Sequence, residues 1–208
     1  MLVGCLYCYR AGAPGYLRIF PLYLLVSIAV EFFANKYFRI LLPFHLDDVK
    51  LVVRQVSYNF FTVFETVVFI YFLYQIIRST QIKRLAIGLF ILFLIYFITS
   101  TVVGGLYQFN DMAVFFESVI IVFLCLIFFR ELFTRPEPVD LLREPSFWLV
   151  TGIFFYLATI FPLFLAGSYL RSHGLGKITY TLYSINNFAI SITYLIFIKG
   201  YTCRTKRL

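Results

Sequence analysis

Six stretches of the chain are each long and apolar enough to cross a lipid bilayer as a helix. A hydrocarbon core about 30 Å thick requires about 20 apolar helical residues, because each backbone polar group left unpaired in lipid costs several kcal/mol. Residues 89–97 are apolar on every face, which does not fit the alternation of a barrel strand. We therefore predict an all-α, polytopic transmembrane helical bundle with six full spans, in which residues 1–208 form one domain. The predicted spans are residues 17–38, 57–77, 85–105, 112–133, 146–166 and 179–198.

The composition indicates that most side chains face lipid or other helices rather than water. Hydrophobic residues make up 62% of the chain and charged residues 13%, whereas about 25% of the residues in a soluble domain are charged. The same figures exclude an intrinsically disordered chain, and the four scattered cysteines indicate no disulfide framework.

The amino-terminal segment is a short apolar stub. Residues 1–9 are too few to span a bilayer, and they end at Tyr9 and Arg10 as the last turns of a longer helix would. Two interpretations stay open from the sequence: the segment is a short apolar stub, or it is the end of a truncated seventh helix whose start lies upstream of Met1.

The distribution of basic residues predicts the orientation. Twelve of the eighteen Lys and Arg residues fall on the side of the predicted spans that holds both termini, and six fall on the other side. The positive-inside rule then places both termini in the cytoplasm, so we expect a multi-pass inner-membrane protein with a cytoplasmic carboxyl terminus. The net charge of +8 is mainly this topology signal, and no soluble basic face exists that would bind nucleic acid.

Several short motifs resemble a known type of protein. They are RIFP at residues 18–21 with Glu31, YNF at residues 58–60 with Glu65, and PSFW at residues 145–148 with Gly152 and Tyr156. In these motifs the chain resembles small multi-pass inner-membrane proteins of Bacteroidota-type bacteria. The resemblance implies six or seven helices and carries no established activity.

Three carboxylates lie inside the predicted spans. Charged side chains near a helix centre cost about 2.5 to 3.5 kcal/mol each on insertion, so they are rare and usually face protein or water. At 1.5 Å per residue, Glu31, Glu65 and Glu117 lie roughly 10, 12 and 8 Å below the outer surface, and Asn59 and Asn187 lie near the same level. We predict that these five residues line an outward-facing pocket that binds a small ligand. The alternative is that each polar group only bridges neighbouring helices.

The geometry of an ideal helix limits how many of these side chains point inward. Asn59 and Glu65 are six residues apart, which corresponds to about 600° of rotation and leaves them about 120° apart around the axis. Only one of the two is therefore expected to point squarely into a pocket.

The remaining motifs predict neither a metal site nor a cofactor. His45, Asp47 and Asp48 offer metal-ligating atoms in a predicted outer loop, but solvated loop charges are the commoner meaning of such a group. Gly174 and Gly176 imitate part of a phosphate-binding loop but lack its first glycine and its final Ser or Thr, so a turn is expected.

Three functions remain open from the sequence. We expect a sensor or scaffold that binds a small periplasmic or lipid-borne ligand and acts through a cytoplasmic or membrane partner protein. The second is a proton-coupled transporter of a small solute, since membrane carboxylates carry protons, although no internal repeat is evident. The third is an intramembrane lipid-modifying enzyme with a Glu as acid or base, although no predicted span contains a His. We therefore assign no catalytic residue.

Overall fold

The computed structural model describes residues 15–34, 47–105, 107, 109–134, 140–173 and 176–205. Within these ranges the chain forms six α-helices, and a short 3-10 helix, Leu141–Arg143, precedes the fifth of them. The α-helices are α1 (Gly15–Ala34), α2 (Asp47–Ile76), α3 (Thr80–Gly104), α4 (Asp111–Phe133), α5 (Pro145–Ser172) and α6 (Gly176–Thr205). The predicted all-α class is thus observed, whereas the predicted stub at residues 1–9 lies outside the described residues.

Four of the helices are long and apolar enough to cross a membrane. They contain the segments Val52–Ile76, Thr80–Gly104, Asp111–Phe133 and Pro145–Ala166, and α1 contains a shorter apolar segment, Leu17–Val30. These lengths and compositions indicate a multi-pass, membrane-embedded helical protein. The prediction of six full spans is confirmed only for these four.

The largest boundary difference concerns α2, which begins at Asp47 rather than at the predicted residue 57. Hydropathy marks only the lipid-facing part of a helix, whereas helical hydrogen bonds continue into the polar segment beyond it. Residues 47–56, which the sequence placed in an outer loop, are therefore the first part of α2. Similarly, α6 continues to Thr205, beyond the predicted end at residue 198.

Helices α2 and α4 run parallel with a nearly constant register. Hydrogen bonds join Asn59 to Asn110 and Thr66 to Glu117, two pairs that are each 51 residues apart. A third contact, from the Arg78 backbone to the Glu131 carboxylate, spans 53 residues at the opposite end. We call the end near Asn110 the outer end and the end near Glu131 the inner end, following the predicted topology.

Helices α1, α5 and α6 complete a ring of five helices with this pair, and α3 packs on the outside of the ring. Helix α1 packs antiparallel to α2, α4 packs on α5, α5 packs on α6, and α3 lies against both α2 and α4. The ring closes between α1 and α6, where the Phe20 and Phe197 rings are 5.4 Å apart. Much of the apolar surface of α3 remains exposed, as expected for a helix at the periphery that faces lipid.

A hydrogen bond that depends on a proline also joins α1 to α6. Pro21 has no backbone N–H, so the carbonyl of Leu17, four residues earlier, has no helical partner at that position. The Tyr201 hydroxyl donates to this carbonyl over 3.1 Å. The contact therefore satisfies a buried backbone group that the proline leaves open.

Helices α5 and α6 approach closely at two glycines. A Cβ atom added at Gly152 would lie 2.5 Å from the Phe197 ring, and one added at Gly200 would lie 3.2 Å from the Trp148 side chain. Small residues allow membrane helices to pack backbone against backbone, which increases their van der Waals contact.

The inner half of the bundle is a packed apolar core. The side chains that fill it are at most 4% exposed. They come from α2, α4 and α5, and include Phe72, Leu73, Ile121, Leu124, Phe128, Leu132, Leu149, Val150 and Ile153. Polar burial on α2 and α4 is therefore confined to the outer half.

Candidate functional site

A stripe of polar side chains on α2 faces α4. Asn59, Thr62 and Thr66 are three and seven residues apart, so their directions around the helix axis fall within about 60° of one another. All three are polar side chains that are buried within an apolar segment. Buried polar side chains in membrane helices usually bind one another across a helix interface. The stripe therefore marks the side of α2 on which its polar partners are found.

Glu65 lies on a different side of α2 and binds α1. It is rotated by about 120° from Asn59, as the sequence predicted, and its carboxylate Oε1 accepts a hydrogen bond of 2.6 Å from the Tyr23 hydroxyl. Both side chains are buried, and Tyr23 packs against the rings of Phe61 and Phe69. The rotation therefore does not expose Glu65 to lipid, because it turns the carboxyl group toward a second neighbouring helix.

Glu117, on α4, is a second buried carboxyl group that accepts a hydrogen bond from a hydroxyl group on a neighbouring helix. The Thr66 hydroxyl donates to Glu117 Oε1 over 2.8 Å, and the same hydroxyl lies 2.7 Å from the Thr62 carbonyl oxygen. A threonine hydroxyl has a single proton, so it has one donor for two nearby acceptors. Glu117 is only 1% exposed. Its link to α2 therefore depends on one shared hydroxyl group.

The two carboxyl groups lie at the same level of the bundle. Glu65 precedes Thr66, the residue that binds Glu117, and Glu117 lies six residues, or roughly 9 Å, inward from the start of α4. Among the described residues no basic side chain forms an ion pair with either carboxyl group. The pair is therefore held by hydroxyl groups within an otherwise apolar interface.

A second polar group lies nearer the outer end, around Asn110. The Asn110 backbone N–H donates to Asn59 Oδ1 over 3.1 Å, and its side-chain amide donates to Ser100 Oγ over 2.8 Å. The Asn110 side-chain oxygen accepts the Ala113 N–H over 3.0 Å and thereby caps α4. One residue thus joins α2, α3 and α4.

A cavity of about 270 Å³ opens beside Asn110. Its volume is slightly below the range of about 300 to 1,000 Å³ that is typical of ligand pockets, so it suits only a small molecule. Neither Glu65 nor Glu117 contributes to its lining, and Asn59 binds the lining residue Asn110. The lining residues are Ser100, Thr101, Gly104, Gly105, Phe109, Asn110, Asp111 and Met112.

The structure describes the side chains of four of the five residues of the sequence-predicted pocket. Asn59, Glu65 and Glu117 are buried within α2 and α4. Asn187 is on α6 with an exposed side chain, and its backbone carbonyl accepts a bond from Ser191 within the same helix. The side chain of Glu31 lies outside the described residues, so the five-residue pocket stays a prediction.

Sequence reasoning missed the partners of the buried carboxyl groups. Tyr23 and Thr66 donate to them, but tyrosine and threonine are common in membrane helices and drew no attention. Asn110 was also missed, since it lies between two predicted spans. Its position one residue before an aspartate and a helix was the available signal, because asparagine is a preferred helix cap.

Metal ligands and reactive groups are sparse in the described part of the chain. No three His, Cys, Asp or Glu side chains there are grouped as metal ligands would be. Cys125 is a free thiol buried within α4. His45, which was considered as a loop ligand, lies outside the described residues.

The chain was compared with protein families, curated proteins and solved structures. No family model matches it, and neither a curated protein nor a solved structure matches it. The resemblance to small multi-pass inner-membrane proteins therefore stays a prediction from short motifs.

Proposed function

We propose that the protein is an inner-membrane sensor or scaffold that binds a small ligand at the outer cavity and passes a helix movement to a partner at the inner end. In this proposal both termini are cytoplasmic, so the cavity opens toward the periplasmic side. The ligand is a small periplasmic or lipid-borne molecule, and the partner is a cytoplasmic or membrane protein.

The observation that carries the proposal is the position of Asn110. It lines the cavity and also holds α2 through Asn59 and α3 through Ser100. An occupant that competes for the Ser100 hydroxyl or displaces Asn110 must change the contact between these helices. A ligand can shift a conformational equilibrium only through such differences in contact between two states. The shared residue provides that difference.

The apolar inner half favours signalling over transport. A transporter requires a polar path, and inward of Thr66 and Ser118 the buried side chains of α2 and α4 in the described structure are apolar. The carboxyl groups are also poorly placed for catalysis on a cavity-bound substrate, because neither Glu65 nor Glu117 lines the cavity. Both features support a role in which occupation of the cavity changes the positions of the helices.

The chain contains its own reporter for movement at the inner end. Trp148 is the single tryptophan, and its indole N–H donates to the Leu142 carbonyl over 3.0 Å. The Lys199 ammonium group lies 6.0 Å from its ring centroid. Tryptophan emission responds to such polar and charged neighbours, so a displacement of α5 against α6 changes the fluorescence of Trp148.

Filling the cavity with a side chain tests the proposal without knowledge of the ligand. A Cβ atom added at Gly104 meets no atom within 4 Å, so Gly104→Leu extends into the cavity region without an initial clash. We expect this variant, reconstituted in lipid nanodiscs, to shift the emission maximum of Trp148 by a few nanometres or to change its quenching by iodide. The cause is displacement of Asn110 and, with it, of α2 and α4.

The matched control is Gly88→Leu. Gly88 is on the same helix, also has no atom within 4 Å of an added Cβ, and lies away from the cavity lining. This control is expected to leave Trp148 unchanged. Emission and quenching that are the same in wild type and Gly104→Leu, with helical content preserved, would show that the cavity is not coupled to the inner end.

A further inference from the structure

Four basic residues lie at the inner end of the bundle, where α2 ends, α3 begins and α4 ends. Arg78, Lys83 and Arg84 are at the α2–α3 turn and the start of α3, and Arg130 is in the last turn of α4. Glu131 accepts the backbone N–H groups of Arg78 and Ser79 over 3.1 and 3.3 Å, which holds the end of α4 against the turn. We call Arg78, Lys83, Arg84 and Arg130 the basic corner.

The described carboxylates at the inner end are already engaged elsewhere. Glu131 binds the two backbone N–H groups, Asp140 pairs with Arg143 over 3.0 Å, and Glu144 accepts the Ser146 hydroxyl. No ion pair joins them to the basic corner in the described part of the chain. The corner is thus a concentrated positive charge that suits an anionic group from outside the chain.

The neighbouring surface has the character of a membrane interface. The Lys83 ammonium group lies 5.0 Å from the centroid of the Tyr74 ring. Tyrosine and tryptophan are enriched at the level of lipid headgroups, where the apolar ring and the polar hydroxyl face different environments. The cation–π contact holds Lys83 close to α2 and at this level.

An apolar stripe on α4 leads away from the corner. Val119, Phe123, Leu126, Arg130 and Phe133 are spaced alternately by four and three residues, and all five are exposed. From Val119 to Arg130 the stripe is eleven residues, or roughly 16 Å, long. One leaflet of a hydrocarbon core about 30 Å thick has nearly the same depth. The stripe and the corner therefore match an acyl chain and its headgroup.

We propose that the basic corner binds the phosphate of an anionic phospholipid, while one acyl chain lies along the α4 stripe. Charge complementarity selects an anionic lipid over a zwitterionic one, because only the former has a net negative charge. None of these residues lines the outer cavity, so this proposal is independent of the proposed sensor function.

The test is lipid binding by the full chain in detergent, measured by native mass spectrometry with phosphatidylglycerol and phosphatidylcholine. We expect the wild-type protein to retain phosphatidylglycerol preferentially and to lose this preference as the salt concentration rises. Each removed charge is expected to weaken phosphatidylglycerol binding about fivefold, so that Arg84→Gln combined with Arg130→Gln weakens it about 25-fold. Binding of phosphatidylcholine is expected to stay unchanged.

Two arginines provide matched controls. Arg54 is exposed toward the outer end, where it lies over the Tyr58 ring, and Arg143 is at the inner end but already paired with Asp140. Neither Arg54→Gln nor Arg143→Gln is expected to change phosphatidylglycerol binding by as much as twofold. Equal retention of the two lipids by the wild-type protein, or an equal loss in the controls and in Arg84→Gln and Arg130→Gln, would overturn the proposal. The single variants decide the matter if the double variant does not fold.

Discussion

Replacing Tyr23 with phenylalanine removes the hydroxyl that donates to Glu65 and leaves the aromatic ring in place. The ring contacts with Phe61 and Phe69 are therefore retained, whereas the 2.6 Å hydrogen bond is lost. Tyr23 and Glu65 are 5% and 6% exposed, so neither water nor lipid can readily supply another donor. The substitution isolates one contact of the buried polar site.

The expected cost follows from the chemistry of the acceptor and from its burial. Hydrogen bonds to charged groups contribute about 1.5 to 3 kcal/mol in soluble proteins, whereas those between membrane helices average about 0.6 kcal/mol with a maximum near 1.7. The bond is short and enclosed, which places it at the upper end of the membrane range. We therefore expect Tyr23→Phe to lower the free energy of unfolding by about 1 to 1.7 kcal/mol.

The assay is reversible unfolding in mixed micelles with increasing denaturing detergent, followed by circular dichroism. Tyr71→Phe is the matched control, because Tyr71 is on the same helix as Glu65 and is 42% exposed. Glu65→Leu provides the second background of a double-mutant cycle. In that background the acceptor is absent and the buried Tyr23 hydroxyl has lost its partner, so Tyr23→Phe is expected to cost nothing or to stabilise the protein.

Two results would refute this reasoning. The first is a loss from Tyr23→Phe no larger than that from Tyr71→Phe, which would mean that the bond contributes nothing to stability. The second is an equal loss from Tyr23→Phe in the wild-type and Glu65→Leu backgrounds. That result would assign the effect to packing of the ring instead of to the carboxyl group.

Two further variants test contacts between helices by the same unfolding measurement. Thr66→Val keeps the shape of the side chain but removes the donor to Glu117, and we expect a loss of about 1 kcal/mol; Thr99→Val, an exposed control, should cost much less. Tyr201→Phe removes the donor to the carbonyl that Pro21 leaves open and should also cost about 1 kcal/mol. In a Pro21→Ala background the restored backbone N–H supplies that bond, so an undiminished effect of Tyr201→Phe there would contradict our account.

The helical spans were predictable because lipid imposes one strong requirement on the backbone. For α4 the predicted span, residues 112–133, agrees with the observed Asp111–Phe133. For α2 the prediction begins ten residues late, because residues 47–56 contain four charged side chains, and such a segment can be a loop or a helix that leaves the membrane. Hydropathy thus predicts where lipid begins more reliably than where a helix begins.

The candidate site was predictable only for the side chains that are costly in lipid. Glu65, Glu117 and Asn59 stand out because a carboxylate or an amide within an apolar segment requires compensation. The partners of the two carboxyl groups are ordinary tyrosine and threonine residues whose spacing contains no signal, and Asn110, the partner of Asn59, was marked only by its place before a helix. The cavity beside Asn110 was not predicted either, because it forms where α3 ends and α4 begins, between two predicted spans.

The amino-acid sequence alone determines that the chain forms apolar helices, because few other structures satisfy the backbone hydrogen bonds within a bilayer. Rotation around α2 is equally local, so the 120° between Asn59 and Glu65 follows from helix geometry. Which neighbour each of them meets is not local. Packing decides that Glu65 faces Tyr23 on α1 while Asn59 faces Asn110 beside α4, because these contacts join residues 42 and 51 positions apart. Such pairings depend on how all the helices fit together, and no single segment contains that information.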